Sequence, residues 1–181
     1  MNINTAPYWD AAWARAHQAY RADRGRMTTI RYIQERLPKG ARVLDIGGGC
    51  GMLAETIRDE HYVKVLDFSQ YAVDFLLSVG IDAERVDIST YDGEEYGAFD
   101  VAICTDFLEH MDEPQRAIRC AYVHAPHAFF GVPDNCMGPE SCKEHLRTYT
   151  RESLADALRM WGHVRIEPEK IGFNIIAEVW R

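Results

Sequence analysis

The order of apolar runs along this chain predicts an α/β fold: a doubly wound, seven-stranded mixed sheet with helices on both faces and an antiparallel hairpin at its end. Three observations carry that expectation. From Arg42 onward, short β-type runs alternate with helical stretches, which implies parallel strands joined by crossover helices. The first of these strands runs straight into a glycine-rich turn, VLDIGGGCG, Val43 to Gly51. The last two β-type segments are separated only by a turn from Pro168 to Gly172, so they pair antiparallel.

Residues 9–37 read as helix in one or two pieces, with Gly25 as the candidate break and Pro38-Lys39-Gly40 as the stop. Arg42 to Ile46 is a strand and Met52 to Glu60 a helix. Tyr62 to Leu66 is the second strand. Ser69 caps a helix that runs through Val79 and ends at Gly80. Ala83 to Val86 is a short strand, and Ser89 to Ala98 is polar and turn-rich. Phe99 to Thr105 is an apolar strand, and Glu113 to His124 a helix with Pro114 in its first turn. His127 to Val132 is a strand closed by Pro133. Thr150 caps a helix to Trp161, with Ser153 at its third position in place of an acid. His163 to Glu167 and Phe173 to Trp180 are the terminal strands.

The 181 residues, 47% of them hydrophobic, suit one domain with a full core. No run of about 20 apolar residues suggests a membrane span, and the N-terminus lacks a signal-peptide pattern. The five cysteines are odd in number and several lie in apolar stretches, which reads as reduced thiols and a cytoplasmic location. The net charge of −8 is uneven: residues 1–42 hold eight Lys/Arg against three acids, a balance of +5 that leaves −13 for residues 43–181. An acidic body argues against sequence-independent binding of nucleic acid, which needs several cations on one face. The basic N-terminal segment either meets an anionic substrate or pairs with the acidic body.

The glycine turn has two nucleotide readings. A side-chain-free turn between strand and helix lets a ligand touch backbone amides. Gly49-x-Gly51-x-x-Ala54 fits a dinucleotide fingerprint, with Asp67 as the ribose acid. Against it, Asp45 would stand beside a pyrophosphate, the glycines start early at Gly47, and no second domain is there to hold a hydride donor's substrate. A nucleoside without phosphate but with an ammonium and a sulfonium removes the conflict and makes use of Asp45.

VLDIGGGCG resembles the first motif, D/E-x-G-x-G-x-G, of the class I S-adenosylmethionine-dependent methyltransferases, with Asp45, Gly47, Gly49 and Gly51 in register. The resemblance runs over roughly residues 40–181 and implies a Rossmann-like domain that binds S-adenosylmethionine and releases S-adenosylhomocysteine. VLDFS looks like the second-strand motif: Asp67 would hold the ribose hydroxyls and Phe68 lie along the adenine. RVDIS looks like the third-strand motif: Asp87 would accept from the adenine amino group and Ile88 supply a backbone amide. FDVAICTDFLEHMDEP looks like the fourth-strand motif, with Thr105 and Asp106 beside the methionine moiety. EHLRTYTRESLADALRMWG is similar to the stretch before the last helix in small-molecule members. The resemblance divides the chain into residues 1–39, an N-terminal helical segment that caps the site with Tyr8 and Trp9 near the ligand or anchoring the helix, and residues 40–181, the cofactor-binding domain.

Methyl transfer from a sulfonium is an in-line displacement, so positioning carries much of the catalysis. A hydroxyl or ammonium nucleophile also needs a base. His110, after the fourth strand, and His145, after the fifth, are the candidates, with a structural role as the competing reading; Asp106 is weaker. No metal is expected: Cys136, Cys142 and His145 supply only three ligands and lack a close cysteine pair. The chain lacks an Asn/Asp-Pro-Pro-Tyr motif, a Pro-Cys nucleophile and a paired-glutamate loop. That leaves a small-molecule acceptor as the expectation, anionic if the basic segment and Arg147 face it. A methyltransferase acting on RNA or protein and a non-catalytic cofactor-binding subunit are the alternatives. Oligomeric state is open.

Overall fold

The computed structural model describes residues 2–134, 138, 139 and 141–181. Two helices lead, α1 (Ala6–Arg21) and α2 (Arg24–Gln34). Then follow β1 (Arg42–Ile46), α3 (Met52–Ile57), β2 (Tyr62–Asp67), α4 (Gln70–Ser78), β3 (Asp82–Arg85), β4 (Val101–Thr105), α5 (Pro114–His124), β5 (His127–Pro133), α6 (Arg151–Leu158), β6 (His163–Ile166) and β7 (Asn174–Trp180). The seven strands form one sheet in the order β3-β2-β1-β4-β5-β7-β6. β1 to β5 are parallel; β7 runs antiparallel to both β5 and β6. The terminal pair therefore sits at one edge, as its short turn requires.

The inner strands β1, β2, β4, β5 and β7 divide their side chains between two cores, because successive residues point to opposite faces. On one face Leu44, Ile46, Ala102, Cys104 and Phe130 pack with Ile118, Leu154, Leu158 and Trp161 from α5, α6 and the turn after α6. On the other, Val43, Val101, Ile103, Phe129 and Ile176 pack with Ile30, Ile33, Leu53, Ile57 and Leu76 from α2, α3 and α4. Burial on both faces explains why the central strands read as unbroken apolar runs. Trp161 and Phe129 are among the largest fully buried side chains. Truncating one of them to alanine costs about 3–5 kcal/mol.

The break in the leading helix falls at Ala22–Asp23 and not at Gly25. Asp23 caps α2 by accepting the amide of Arg26 at 3.0 Å. Gly25 lies inside α2, and a Cβ there would stand 2.1 Å from the Phe173 ring. The glycine answers a close approach, which sequence cannot show. α3 is also shorter than expected, ending at Ile57. Thr150 and Ser153 complete a reciprocal capping box at α6, serine standing in for the usual acid.

The strand order reverses between β1, which leads to β2 and β3, and β4, which leads to β5. Ligands in such sheets bind beyond the carboxyl ends of the strands at this reversal. α1 lies over it. Asp10 in α1 accepts Ser69 Oγ at 2.6 Å and Tyr71 N at 3.1 Å, docking α1 on the start of α4. α2 shares its core with the sheet through Ile30 and Ile33, so the leading helices are packed into the domain. No described helix is long and apolar enough to cross a membrane.

Candidate functional site

Two cavities, each of about 330 Å³, open at the carboxyl ends of the strands and share Trp9, Trp13, Gly47, Asp106 and His110 in their walls. Together they form one groove beneath α1. The first cavity is walled by Asp67, Phe68, Asp87 and Ile88; the second by Asp45, Gly49, Thr105, Glu109 and His145, with Tyr20 and Arg26 from the leading helices. Sequence residues 60 to 100 apart meet here because β1, β2 and β4 end side by side.

The turn after β1 supplies the floor. Gly47 and Gly49 take left-handed backbone, with φ of 73° and 54°, a conformation glycine adopts without a Cβ clash. A Cβ on Gly49 would also meet Trp13 of α1 at 2.4 Å. Gly51 differs from the expectation that grouped it with these two. Among the described residues it lines neither cavity, and a Cβ there would meet Leu76 of α4 at 2.3 Å. Its place is in helix packing, where the turn closes onto the core.

Asp45 lies behind the turn, 3% exposed, and its Oδ2 has no hydrogen-bond partner among the described residues. Burial, then the charge of Asp67, raises its pKa to about 7. A buried carboxyl oxygen left without a partner beside a groove fits a cationic ligand group or its water. Asp67, at the end of β2, accepts Gly49 N and Ser69 N, each at 2.9 Å. Burial raises its pKa to about 6 against these amides, which pull it down. Asp87 is exposed, accepts Ser89 N at 3.0 Å and Ser89 Oγ at 2.6 Å, and caps the 3-10 turn Ile88–Thr90. Ile88 is buried and lines the first cavity.

Asp106 follows β4 with φ 52°, the one described non-glycine residue with left-handed backbone; such strain collects at functional sites. Asn174 Nδ2 donates to its Oδ1 at 2.9 Å and Arg26 Nε to its Oδ2 at 3.4 Å. His110 ends the 3-10 turn Leu108–His110. Burial pushes its pKa down to about 4, so the ring is neutral at pH 7 and a weaker base than an exposed histidine. Its Nδ1 lies 2.9 Å from the carbonyl of Glu144. A carbonyl only accepts, so Nδ1 carries the proton. His145, buried, packs its ring edge-on to His110 at 4.9 Å between centroids.

The mouth is closed by the N-terminus. Asn2 donates to Asp112 at 2.8 Å and Asn4 to the Glu144 carbonyl at 2.8 Å, while Tyr8 donates to the Glu144 carboxylate. Trp9 Nε1 donates to Asn4 at 3.2 Å, which fixes the indole over the groove. Tyr8, Trp9 and, as part of the basic segment, Arg26 are legible in the sequence; Trp13, Tyr20 and Glu109 are not, although an indole one helical turn after Trp9 is the available signal for Trp13. Arg147 does not face the groove. Its Nη2 donates to the carbonyls of Met111 at 2.7 Å and Asp112 at 2.8 Å, so it braces the loop after the 3-10 turn. Cys136 lies outside the described residues, and no disulfide joins the described cysteines.

Comparison with known proteins supplies the context. A family profile described as a methyltransferase domain matches residues 14–167. The chain is 34% identical to a ubiquinone biosynthesis O-methyltransferase of Ralstonia nicotianae over 112 residues, which cover 56% of this chain and 47% of that protein. It thus spans about half the length of the curated relatives it matches. Its fold is similar to that of the N-methyltransferase NodS of Bradyrhizobium japonicum bound to S-adenosylhomocysteine, with a TM-score of 0.75, 16% identity and 98% of each chain covered. It is also similar to magnesium protoporphyrin IX methyltransferase of Synechocystis with bound S-adenosylmethionine, with a TM-score of 0.64 and 16% identity over 87% of this chain and 80% of that one.

Proposed function

This chain belongs to the methyltransferase-domain family of the class I, S-adenosylmethionine-dependent fold, and on that premise we propose that it methylates a small-molecule acceptor. The observation that carries the reading is the partnerless Asp45 oxygen behind a glycine turn, in a groove that runs from Asp67 and Asp87 to His110 and His145. Bound S-adenosylmethionine supplies an electrophilic methyl group on a sulfonium.

The chain's own residues would bind, orient and exclude water. Asp67 and Asp87 hold the nucleoside end in the first cavity, with Phe68 and the Ile88 backbone as its walls. Asp45 faces the ammonium, directly or through a water. Thr105 and Asp106 wall the middle of the groove. Trp9 and Trp13 cover it, and a dry site strengthens each charge contact. His110 and His145 stand on the acceptor side, where a proton would be received. An oxygen acceptor is supported by the curated relatives, which are named as O-methyltransferases. The anionic-acceptor reading rests on Arg26, the one arginine or lysine among the described residues lining the second cavity, and there it reaches Asp106.

Calorimetric titration of the purified chain with S-adenosylhomocysteine, and separately with NAD, tests the cofactor. Micromolar binding of the first and none of the second is expected; binding of NAD alone would overturn the reading. Transfer of labelled methyl from S-adenosylmethionine to a panel of hydroxylated small molecules, with RNA and protein as rival acceptors, tests the substrate class. Turnover only on a polymer would refute the small-molecule reading. Equal turnover of matched neutral and anionic acceptors would remove the role of Arg26.

A further inference from the structure

We propose that Glu109, His110 and His145 form a binding site for one divalent transition-metal ion at the acceptor end of the groove. The ion site stands on geometry alone; its use in holding an acceptor oxygen rests on the methyl-transfer reading above. It departs from the expectation of no metal and uses a different ligand set from the Cys136, Cys142 and His145 trio weighed in the sequence.

One ligand atom from each of the three residues lies within 4.8 Å of the others. They come from two loops. Glu109 and His110 close the 3-10 turn after β4, and His145 lies in the segment after β5. The amide of Leu146 donates to the Glu109 carbonyl at 2.8 Å and the carbonyl of Glu144 accepts from His110 Nδ1, so the loops are pinned on both sides of the cluster.

Glu109 is the independent observation. It is 1% exposed, lines the second cavity, and neither carboxylate oxygen has a hydrogen-bond partner among the described residues. An ionised carboxylate buried in that state costs several kcal/mol, so it must hold a proton or face a cation.

The tautomer of His110 offers the second ligand. With Nδ1–H given to the Glu144 carbonyl and the ring neutral, Nε2 presents a lone pair, and it stands 3.6 Å from Glu109 Oε1. That is too long for a shared proton. It suits two ligands of one ion: donors about 2.0–2.2 Å from a tetrahedral centre lie about 3.4 Å apart. The bound of 4.8 Å on the whole set exceeds that spacing by about 1.4 Å, so His145 closes by up to that distance when the ion binds. A ring nitrogen bonded to a carbonyl while the other faces the metal is also the usual support of a ligating histidine.

Two imidazoles and one carboxylate favour Mn²⁺, Fe²⁺, Co²⁺ or Zn²⁺ over Mg²⁺ and Ca²⁺, which prefer all-oxygen shells. Three protein ligands leave positions open on the groove side. An acceptor hydroxyl bound there would give its proton to water more readily and keep both electrons on oxygen as the nucleophile. Neutral His110 would then act as a ligand instead of a base.

The test uses the full chain, stripped with a chelator and titrated with Mn²⁺ followed by electron paramagnetic resonance, and with Co²⁺ followed by visible absorption. One equivalent per chain is expected, at least tenfold weaker in Glu109→Gln and in His145→Gln. S-adenosylhomocysteine titration and circular dichroism on the same samples report that each variant is folded. Absence of stoichiometric binding, or equal affinity in both folded variants, would overturn the site. Metal binding without S-adenosylhomocysteine binding would keep the site and sink only the methyl-transfer reading. The reverse result would sink the site alone.

Discussion

Asp67 at the end of β2 accepts the amide of Gly49 in the turn after β1, at 2.9 Å and eighteen residues away in the chain. The bond ties the glycine turn to the neighbouring strand, so the residue proposed for the ribose also shapes the turn. Asp67→Ala removes two charge-assisted amide contacts, to Gly49 and Ser69. A loss of about 2 kcal/mol in urea unfolding is expected, together with loss of S-adenosylhomocysteine binding. Unchanged binding would show that Asp67 serves the fold alone.

Asp45 should make the ligand-free protein less stable as pH rises. Its folded pKa of about 7 exceeds the ordinary 3.8. Between those values the native state keeps a proton that the unfolded chain releases, so stability falls from about pH 4 to pH 7. Asp67, raised to about 6, adds to the fall over a narrower window. Asp45→Asn should flatten the pH dependence of Tm between about pH 4 and pH 7. An unchanged slope in the variant would place the titration elsewhere.

The same carboxyl should couple cofactor binding to protons. A cationic ligand group favours ionised Asp45, so S-adenosylhomocysteine should bind roughly tenfold more tightly at pH 8 than at pH 6. Calorimetry in buffers of different ionisation enthalpy should register proton release near pH 7. Affinity that is flat with pH would argue that Asp45 does not face the ammonium.

Gly49→Ala combines two penalties: a φ of 54° and a Cβ 2.4 Å from Trp13. The left-handed backbone costs about 1–2 kcal/mol, and Trp13 must move off the groove. Chemical unfolding should show at least that loss, and cofactor affinity should fall with it. Gly40→Ala is the control, with φ 69° and nothing within 4 Å. It should show the strain without the loss of binding.

Tyr8 and Asn4 both reach Glu144, joining the N-terminal segment to the loop after β5. Tyr8→Phe should speed S-adenosylhomocysteine dissociation in stopped-flow measurements while leaving Tm within about one degree, since a half-buried contact at the rim contributes little to stability. An unchanged dissociation rate would mean that the segment does not gate the groove.

Much of this was written in local pattern. Apolar runs of four to seven residues, broken by helices of the right length, dictate a parallel sheet, because a strand buried on both faces has no polar side to show. The short turn from Pro168 to Gly172 dictates the antiparallel end. The glycines and the acids at the ends of β1, β2 and β4 announce a ligand groove, since a turn without side chains beside a carboxylate has few other uses. Other features were invisible to it. Gly25 sits in a helix because the Phe173 ring arrives from the far end of the chain. Gly51 serves packing against Leu76, and Arg147 braces two carbonyls, so neither forms part of the groove. His110 looked like a base by its ordinary pKa, and burial moved that to about 4. The cluster of Glu109, His110 and His145 needs two loops brought to one point. Local spacing governs which backbone forms; which side chains end up facing one another, and how dry the space between them is, depends on contacts between residues far apart in the chain.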